Sequence, residues 1–187
     1  MSKPIKISVV IPYFESDLDK RRVLQEAVDS LDTYDELIIV NDIKSRGPTR
    51  AVIQGFAIAH GDYIICMTDD LKQLGGSLVD LCIPGVVTSP KINETVKGDE
   101  LWGMMFCIPR PIYEQVGVLD PIYDGGLYYD DEDLVRTLRA NGIPMQGIDS
   151  VSFSHPEGGR SLRDNPRVKE MLDRNRKLFG EKWGSIA

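Results

Sequence analysis

Three short apolar runs in the first 70 residues constrain the fold most strongly. They are Ile7–Ile11, Leu37–Val40 and Tyr63–Met67. All three are rich in residues that favour β-structure and are too short to be helices, so each is predicted to be a buried strand. Between them, apolar residues recur at helical spacing, and Thr49 is the expected N-cap of the second helix. This alternation of strand and helix predicts a doubly wound parallel sheet.

Polar side chains follow each of these predicted strands. The three clusters are Tyr13 with Glu15, Asn41 with Asp42, and Thr68 with Asp69 and Asp70. Because the carboxyl ends of parallel strands meet at one edge of a sheet, where open α/β folds bind ligands, the clusters are predicted to form one site. Carboxylate oxygens at this edge suit Mg²⁺ or Mn²⁺, and such an ion suits a diphosphate. For an isolated Asp-Asp pair, a polar turn after the strand is the alternative interpretation.

A second acidic cluster, Asp130–Asp133, stands at the start of a predicted amphipathic helix whose inward side chains are Leu134, Val135 and Leu138. Acids interact favourably with the dipole at a helix N-terminus, so capping alone is one interpretation. Four consecutive acids exceed what capping needs, and their mutual repulsion favours a bound cation or proton. A carboxylate with neighbours that raise its pKa suits the role of a general base.

The second half of the chain is less regular. Strands are predicted at Leu101–Ile108 and Val151–Ser154, and a short helix at Ile112–Val116. The second of these strands leads to His155, and a lone histidine after a strand is more often structural than catalytic. The loop that follows contains glycines, which permit close approach of the backbone to a phosphate. The segment Asn165–Trp183 is predicted to be an amphipathic helix with a basic face. A solvated surface is the favoured interpretation of that face, and a position near an anionic ligand is the alternative.

Composition and absent motifs exclude several classes of protein. The chain has 187 residues, the size of one domain, and a net charge of −7 from 22 basic and 29 acidic residues. Such a chain lacks the basic surface that coats nucleic acid or anionic membranes. No apolar run approaches the roughly 20 residues of a transmembrane helix, and the three cysteines have no CxxC spacing, so we expect a soluble cytoplasmic protein with reduced thiols. The absence of GxGxxG and GxxxxGKS/T argues against a dinucleotide-binding Rossmann site and a P-loop.

Six segments together resemble the family-2 glycosyltransferases, which have the GT-A fold. In chain order they are Val-Val-Ile-Pro-Tyr-Phe-Glu, Ile-Ile-Val-Asn-Asp, Gly-Asp-Tyr-Ile-Ile-Cys-Met-Thr-Asp-Asp, Asp-Asp-Glu-Asp-Leu-Val-Arg-Thr-Leu-Arg-Ala-Asn-Gly, His-Pro-Glu-Gly-Gly-Arg-Ser and Leu-Phe-Gly-Glu-Lys-Trp-Gly. The resemblance covers most of residues 5–184 and is specific as a set. It implies an α/β fold with a mostly parallel central sheet flanked by helices.

The resemblance also implies which residues bind the donor and a metal ion. The nucleotide-sugar would be bound by Pro12, Tyr13, Glu15, Asn41, Asp42, Arg50, Asp69, Arg160 and Ser161. The Asp-x-Asp metal motif of the family is matched by residues 68–70, with Thr68 in place of its first acid. Coordination of Mn²⁺ or Mg²⁺ would therefore fall on Asp70, joined by His155.

The implied activity is transfer of a sugar from a nucleoside-diphosphate sugar to a hydroxyl acceptor, with inversion and with a UDP-sugar as the default donor. Asp131 would be the catalytic base, and Asp130 and Asp133 would tune and orient it. Trp102 would support the acceptor, although core packing explains it equally well. The acceptor itself is not identified by the sequence, which also allows a homo-oligomer.

The chain is expected to form one domain, in which residues 1–100 bind the donor, 101–164 carry the acceptor and catalytic residues, and 165–187 form a C-terminal helix. Two rival functions remain at this point. A nucleotidyltransferase would carry a glycine-rich basic loop after the first strand, where Pro12-Tyr13-Phe14-Glu15 stands instead. A non-catalytic sugar-nucleotide-binding or scaffold protein on the same fold is allowed by Thr68 and opposed by the retained Asp70, Asp131 and His155.

Overall fold

The computed structural model describes residues 4–14, 18–42, 47–123, 128–156 and 166–184. Their helices and strands are, in chain order, β1 (Ile7–Tyr13), α1 (Leu18–Asp29), β2 (Glu36–Asn41), α2 (Pro48–Ile58), β3 (Tyr63–Met67), β4 (Lys72–Gly75), β5 (Val87–Ile92), β6 (Met105–Pro109), α3 (Arg110–Val116), α4 (Asp130–Ala140), β7 (Met145–Ser154) and α5 (Pro166–Trp183). Two short 3₁₀-helices cover Leu78–Leu81 and Pro121–Tyr123. No helix within the described ranges has the length and apolar character needed to cross a membrane.

The seven described strands form one sheet in the order β2-β1-β3-β6-β5-β7-β4. The first three strands are parallel, as predicted, because β1 pairs in parallel with both β2 and β3. The remainder of the sheet is mixed: β6 is antiparallel to β3 and to β5, β7 is parallel to β5, and β4 is antiparallel to β7. It follows that β7 runs in the same direction as β3, whereas β6 runs in the opposite direction.

Strand direction places two later segments at the edge where β1, β2 and β3 end. Met105, the first residue of β6, is paired with Met67, the last residue of β3. The turn that precedes β6 therefore lies beside the residues that follow β3. The carboxyl end of β7, which leads to His155, lies at the same edge because β7 is oriented like β3.

Alternating side chains of the central strands pack into two apolar cores on opposite faces of the sheet. In β3, Ile65 and Met67 belong to one core and Ile64 and Cys66 to the other. The first core includes side chains of α1 and the 3₁₀-helix Leu78–Leu81, and the second includes side chains of α2, α3 and α4. All five side chains of β3 are buried. The sheet is thus covered on both faces, as its apolar strands predict.

The predicted elements differ from the observed ones mainly at their ends. Gly47, with φ 104°, is the N-cap of α2, and Thr49 lies inside the first turn, so the prediction of Thr49 as the cap is wrong. Residues 101–104 form a turn instead of the first half of a strand, and β7 begins at Met145, six residues before its predicted start. β4, a short strand at the edge of the sheet, was not predicted. Asn165, the predicted start of the last helix, lies outside the described residues.

Glu36 joins three segments at the amino-terminal edge of the parallel strands. Its carboxylate accepts hydrogen bonds from the Ser8 hydroxyl and from the backbone N–H of His60, the latter at 2.8 Å, and contacts His60 Nδ1 at 2.9 Å. Ser8 Oγ in turn accepts a hydrogen bond from the Gly61 N–H at 2.7 Å. Partial burial raises the pKa of Glu36, but the hydrogen bonds from Ser8 and His60 outweigh it and lower this pKa to about 2.

Replacing Glu36 with Gln should therefore lower the free energy of unfolding by about 1–2 kcal/mol at pH 7. Because the folded pKa is depressed, this contribution is complete above about pH 5 and is lost as the pH falls towards 2. In urea unfolding, the difference in the free energy of unfolding between the variant and wild type should fall to about half or less of its pH 7 value by pH 3. Glu114→Gln, on the exposed side of α3, is the matched control and should show no difference at either pH. An effect of Glu36→Gln that does not vary with pH would contradict the depressed pKa.

Candidate functional site

The ends of β1 and β2 are joined by hydrogen bonds through Asp42. Its backbone N–H donates to the Tyr13 carbonyl at 2.7 Å, and its Oδ2 accepts from the Gly47 N–H at 2.7 Å. Asp42 and Tyr13 are both buried, whereas Asn41 is exposed at the end of β2. Pro12, in β1, pairs with Val40. Tyr13 of the first predicted polar cluster thus lies beside Asn41 and Asp42 of the second at one edge of the sheet.

Asp69 pairs with a cation that was not among the predicted site residues. Lys20, on α1, places its Nζ 3.1 and 3.3 Å from the two carboxylate oxygens of Asp69. Burial raises the pKa of Asp69, and the attraction of Lys20 offsets only part of that rise. The carboxylate of Asp69 is therefore held inside the protein by an ion pair with α1.

Asp70 and His155 meet at the ends of β3 and β7. His155 Nε2 lies 3.4 Å from Asp70 Oδ2, and the Thr68 hydroxyl donates to Asp70 Oδ1 at 2.9 Å. Asn93 fixes the backbone of His155, because its amide donates to the His155 carbonyl at 2.9 Å and accepts from the His155 N–H at 2.9 Å. The structure thus brings the two predicted metal ligands together.

The donor atoms of Asp70 and His155 fit a divalent ion in chemical type, since one carboxylate oxygen and one imidazole nitrogen suit Mn²⁺. Across the described part of the chain, no group of three or more His, Cys, Asp or Glu side chains is close enough together to hold a metal ion. An ion at this pair would therefore need further oxygen atoms from a bound molecule or from water.

Asp130 is a half-buried acid that links α4 to α2. The Thr49 hydroxyl donates to Asp130 Oδ2 at 2.7 Å, and the Asp131 N–H donates to Asp130 Oδ1 at 3.1 Å. Burial, followed by the charge of Asp131, raises the pKa of Asp130 to about 6. Thr49 thus links α2 to α4, and the raised pKa values in this cluster are those of Asp130 and Glu132.

Asp131 lies against the turn that precedes β6. An ideal Cβ on Gly103 would be 2.6 Å from Asp131 Cγ and 2.7 Å from Asp131 Cβ, so only glycine leaves room for this carboxylate. The next residue, Met104, accepts a hydrogen bond from the Thr68 N–H at 2.9 Å through its carbonyl. One turn therefore contacts both the predicted base and the segment that carries Asp70.

Asp133 points to a different set of neighbours. Its buried carboxylate accepts hydrogen bonds from the Tyr123 hydroxyl at 3.1 Å, Lys182 Nζ at 2.9 Å and Trp183 Nε1 at 2.6 Å. Lys182 also pairs with Asp120 at 2.7 Å. These contacts hold α5 against α4, and neither Lys182 nor Trp183 was a predicted site residue.

Of the remaining predicted residues, Trp102 and Arg50 lie in the described part of the chain. Trp102 packs against the first apolar core, and Lys97 Nζ lies 4.9 Å from the centroid of its ring. Its buried indole Nε1 has no hydrogen-bond partner among the residues that the structure describes. Arg50 lies in the first turn of α2. Glu15, Arg160 and Ser161 fall outside the described residues.

Comparison with known proteins identifies the fold. No protein-family model matches the sequence, and no curated protein matches it. Solved structures of glycosyltransferases with the GT-A fold do match the structure, so the predicted fold class is confirmed. Because the sequence identities are 9–13%, this similarity establishes the fold alone.

Three of these structures illustrate the similarity. GalNAc-T7, in complex with UDP, GalNAc and Mn²⁺, has a TM-score of 0.64 and 11% identity over 94% of this chain and 50% of its own. The mannosyltransferase PcManGT from Pyrobaculum calidifontis, with GDP-Man and Mn²⁺, has a TM-score of 0.60 and 13% identity over 99% and 77%. Residues 1–349 of S. aureus TarS have a TM-score of 0.65 and 9% identity over 95% and 65%. The chain thus spans half of the GalNAc-T7 chain and less than two thirds of the TarS chain.

Replacing Gly103 with Ala should destabilise the protein by about 1–3 kcal/mol, because the added methyl group must displace Asp131 or the start of α4. Gly103 is not in the left-handed region, so the substitution introduces no backbone strain of its own. Gly98→Ala is the matched control, since no atom lies within 4 Å of an added Cβ there. The free energy of unfolding of both variants is measured by urea denaturation. Equal stability of the two would contradict the close contact between Gly103 and Asp131.

Proposed function

We propose that this protein is a metal-dependent glycosyltransferase that moves a sugar from a nucleoside-diphosphate sugar to a hydroxyl acceptor. One observation carries the proposal: the turn containing Gly103 and Met104 contacts Asp131 on one side and the segment leading to Asp70 on the other. This contact supports a site in which Asp131 would accept a proton and Asp70 and His155 would hold a divalent ion. Sugar transfer from a nucleotide needs both groups at one edge of the sheet.

The donor would lie along the ends of β1, β2 and β3. Tyr13 and Asp42 are buried side by side and would line the base pocket, as the resemblance implies. Asp70 and His155 would hold Mn²⁺ or Mg²⁺, which neutralises the charge of the diphosphate leaving group when bound. The similar structures of GalNAc-T7 and PcManGT contain UDP and GDP-Man respectively, each with Mn²⁺, which supports a nucleotide donor and a metal ion. The choice of UDP as the nucleotide of the donor is proposed from the sequence resemblance.

Asp131 would act on the acceptor. As the acceptor oxygen forms a bond to the anomeric carbon, the bond from that carbon to the diphosphate oxygen breaks and its electron pair leaves with the diphosphate. Asp131 takes the hydroxyl proton. Direct displacement of this kind inverts the anomeric centre. Asp130 is a poorer candidate because its two oxygens already accept hydrogen bonds from Thr49 and from the Asp131 N–H.

The acceptor would approach from the side of the chain that contains residues 101–164, along the turn with Trp102. Residues 1–100 would then form the donor-binding part of one domain. This division follows the observation that Asp42, Asp69 and Asp70 come from the first part of the sequence and Asp131 and His155 from the second.

A second candidate function, a non-catalytic sugar-nucleotide-binding protein, is favoured by one feature of the site. Thr68 replaces the first acid of the metal motif, and Lys20 neutralises Asp69, so the edge carries less negative charge than the motif normally provides. Such a protein would bind the donor and leave it intact.

A thermal-shift panel of UDP, GDP, dTDP and CDP tests the donor site. Each nucleotide is added with Mn²⁺, with Mg²⁺ and with EDTA. A ligand that binds only the folded state stabilises it by about 2.7 kcal/mol at a hundredfold excess over its dissociation constant, which raises the melting temperature by several degrees. We expect one nucleotide, with UDP first, to give a shift that disappears in EDTA. The absence of a shift with every nucleotide and metal would overturn the metal-dependent transferase.

Asp131→Asn separates the two candidate functions. The amide cannot accept the hydroxyl proton, so turnover, measured as release of nucleoside diphosphate from the sugar donor, should fall by about 10²–10⁴-fold. The nucleotide-dependent thermal shift should be retained. Asp80→Asn, an exposed acid in the 3₁₀-helix Leu78–Leu81, should retain both turnover and shift. Binding without turnover in the wild-type protein would favour the non-catalytic function.

A further inference from the structure

We propose that α5 is part of the active site, in which Lys182 and Trp183 are positioning residues that hold Asp131 in place through Asp133. This inference rests on the proposed function, because it assigns α5 to the orientation of the proposed base. It differs from the interpretation of the basic face of this helix as a solvated surface, which the sequence pattern favours.

Asp133 is the point at which α5 and α4 are joined. Its carboxylate is 4% exposed and accepts hydrogen bonds from two consecutive residues of α5, Lys182 at 2.9 Å and Trp183 at 2.6 Å. Lys182 is shared with Asp120, which it contacts at 2.7 Å. A buried carboxylate is stable only when its charge and lone pairs are satisfied, so Asp133 requires these donors. Removing them would force the first turn of α4 to rearrange.

α5 also fixes the corner from which α4 starts. Tyr128 and Tyr129 have φ angles of 72° and 70°, a left-handed conformation that residues with a side chain rarely adopt. Asn175 of α5 donates to the Tyr128 carbonyl at 3.2 Å, and the Tyr129 ring lies 5.3 Å from the Phe179 ring of α5. The Tyr129 carbonyl in turn accepts the Asp133 N–H at 2.9 Å. Two consecutive left-handed residues persist only when the surroundings determine them, and here α5 supplies those contacts.

Asp131 lies between these fixed points. It is preceded by the Tyr128–Tyr129 corner and followed, two residues later, by Asp133. On its other side Gly103 leaves no room for a side-chain carbon. The direction of the Asp131 carboxylate is therefore set by how the first turn of α4 is anchored. Thr49 of α2 anchors this turn through Asp130, and Lys182 and Trp183 of α5 anchor it through Asp133.

Trp183→Phe tests this inference, because it removes the indole N–H that Asp133 accepts while keeping an aromatic ring. Hydrogen exchange followed by mass spectrometry is measured on the whole chain without donor, and kcat and KM for the donor are measured by release of nucleoside diphosphate. Lys177→Ala is the control on the same helix, since Lys177 is 78% exposed and pairs only weakly with Glu181 at 3.8 Å.

We expect Trp183→Phe to speed exchange in residues 128–140 relative to β1 and β3, to lower kcat about tenfold and to leave KM for the donor within about twofold. Lys177→Ala should match wild type in all three readouts. Faster exchange in residues 128–140 with unchanged kcat would overturn the inference, because α5 would then be a purely structural helix. Unchanged exchange there would overturn it as well.

The exchange readout separates this inference from the proposed function. If the wild-type protein turns over no sugar nucleotide, the proposed function fails, and faster exchange confined to residues 128–140 in Trp183→Phe would still support the anchoring of α4 by α5. If wild type is active and Trp183→Phe is as active as Lys177→Ala, the proposed function stands and the positioning role of α5 is overturned.

Discussion

The antiparallel pairing of β6 with β3 is the constraint on which the candidate site depends. Because β6 runs opposite to β3, the turn before it lies beside the residues that follow β3, and the Thr68 N–H donates to the Met104 carbonyl. A parallel β6 would carry this turn to the other edge of the sheet, and Gly103 would no longer contact Asp131. β7, which runs in the direction of β3, brings His155 to the same edge. Strand direction thus assembles side chains that are far apart in the sequence.

Two acids of one helix turn show how different partners give similar residues different roles. Among the described residues, the neutral Thr49 hydroxyl and Asp131 N–H donate to Asp130, while burial and then the charge of Asp131 raise its pKa to about 6. Asp133 is more deeply buried, and the Lys182 ammonium is among its donors, so its carboxylate forms an ion pair with α5. In the sequence these residues form one acidic run. In the structure Asp130 joins α4 to α2 and Asp133 joins α4 to α5.

The sequence predicts the parts of the protein that local patterns determine. β3 has the predicted bounds because its five buried residues form an uninterrupted apolar run. The meeting of Tyr13 with Asp42 follows from the geometry of parallel strands. Lys20 and Lys182 were not predicted as site residues, because a polar residue on an amphipathic helix gives no local sign of a partner far along the chain. β4 was missed because it is a short edge strand, formed by pairing with β7 more than by its own β-propensity.

Thr68 stands where the Asp-x-Asp motif has its first acid, and it leaves the donor atoms of Asp70 and His155 in place. The Thr68 hydroxyl donates to Asp70 Oδ1, which leaves Asp70 Oδ2 facing His155 at 3.4 Å. A carboxylate at position 68 would instead repel Asp70. Lys20 also neutralises the charge of Asp69. Within this turn, the charge of Asp70 is therefore the one available to a metal ion. Under the proposed function, a site of such low charge binds a metal strongly only when a diphosphate supplies the remaining oxygens, so the metal and the nucleotide should bind cooperatively.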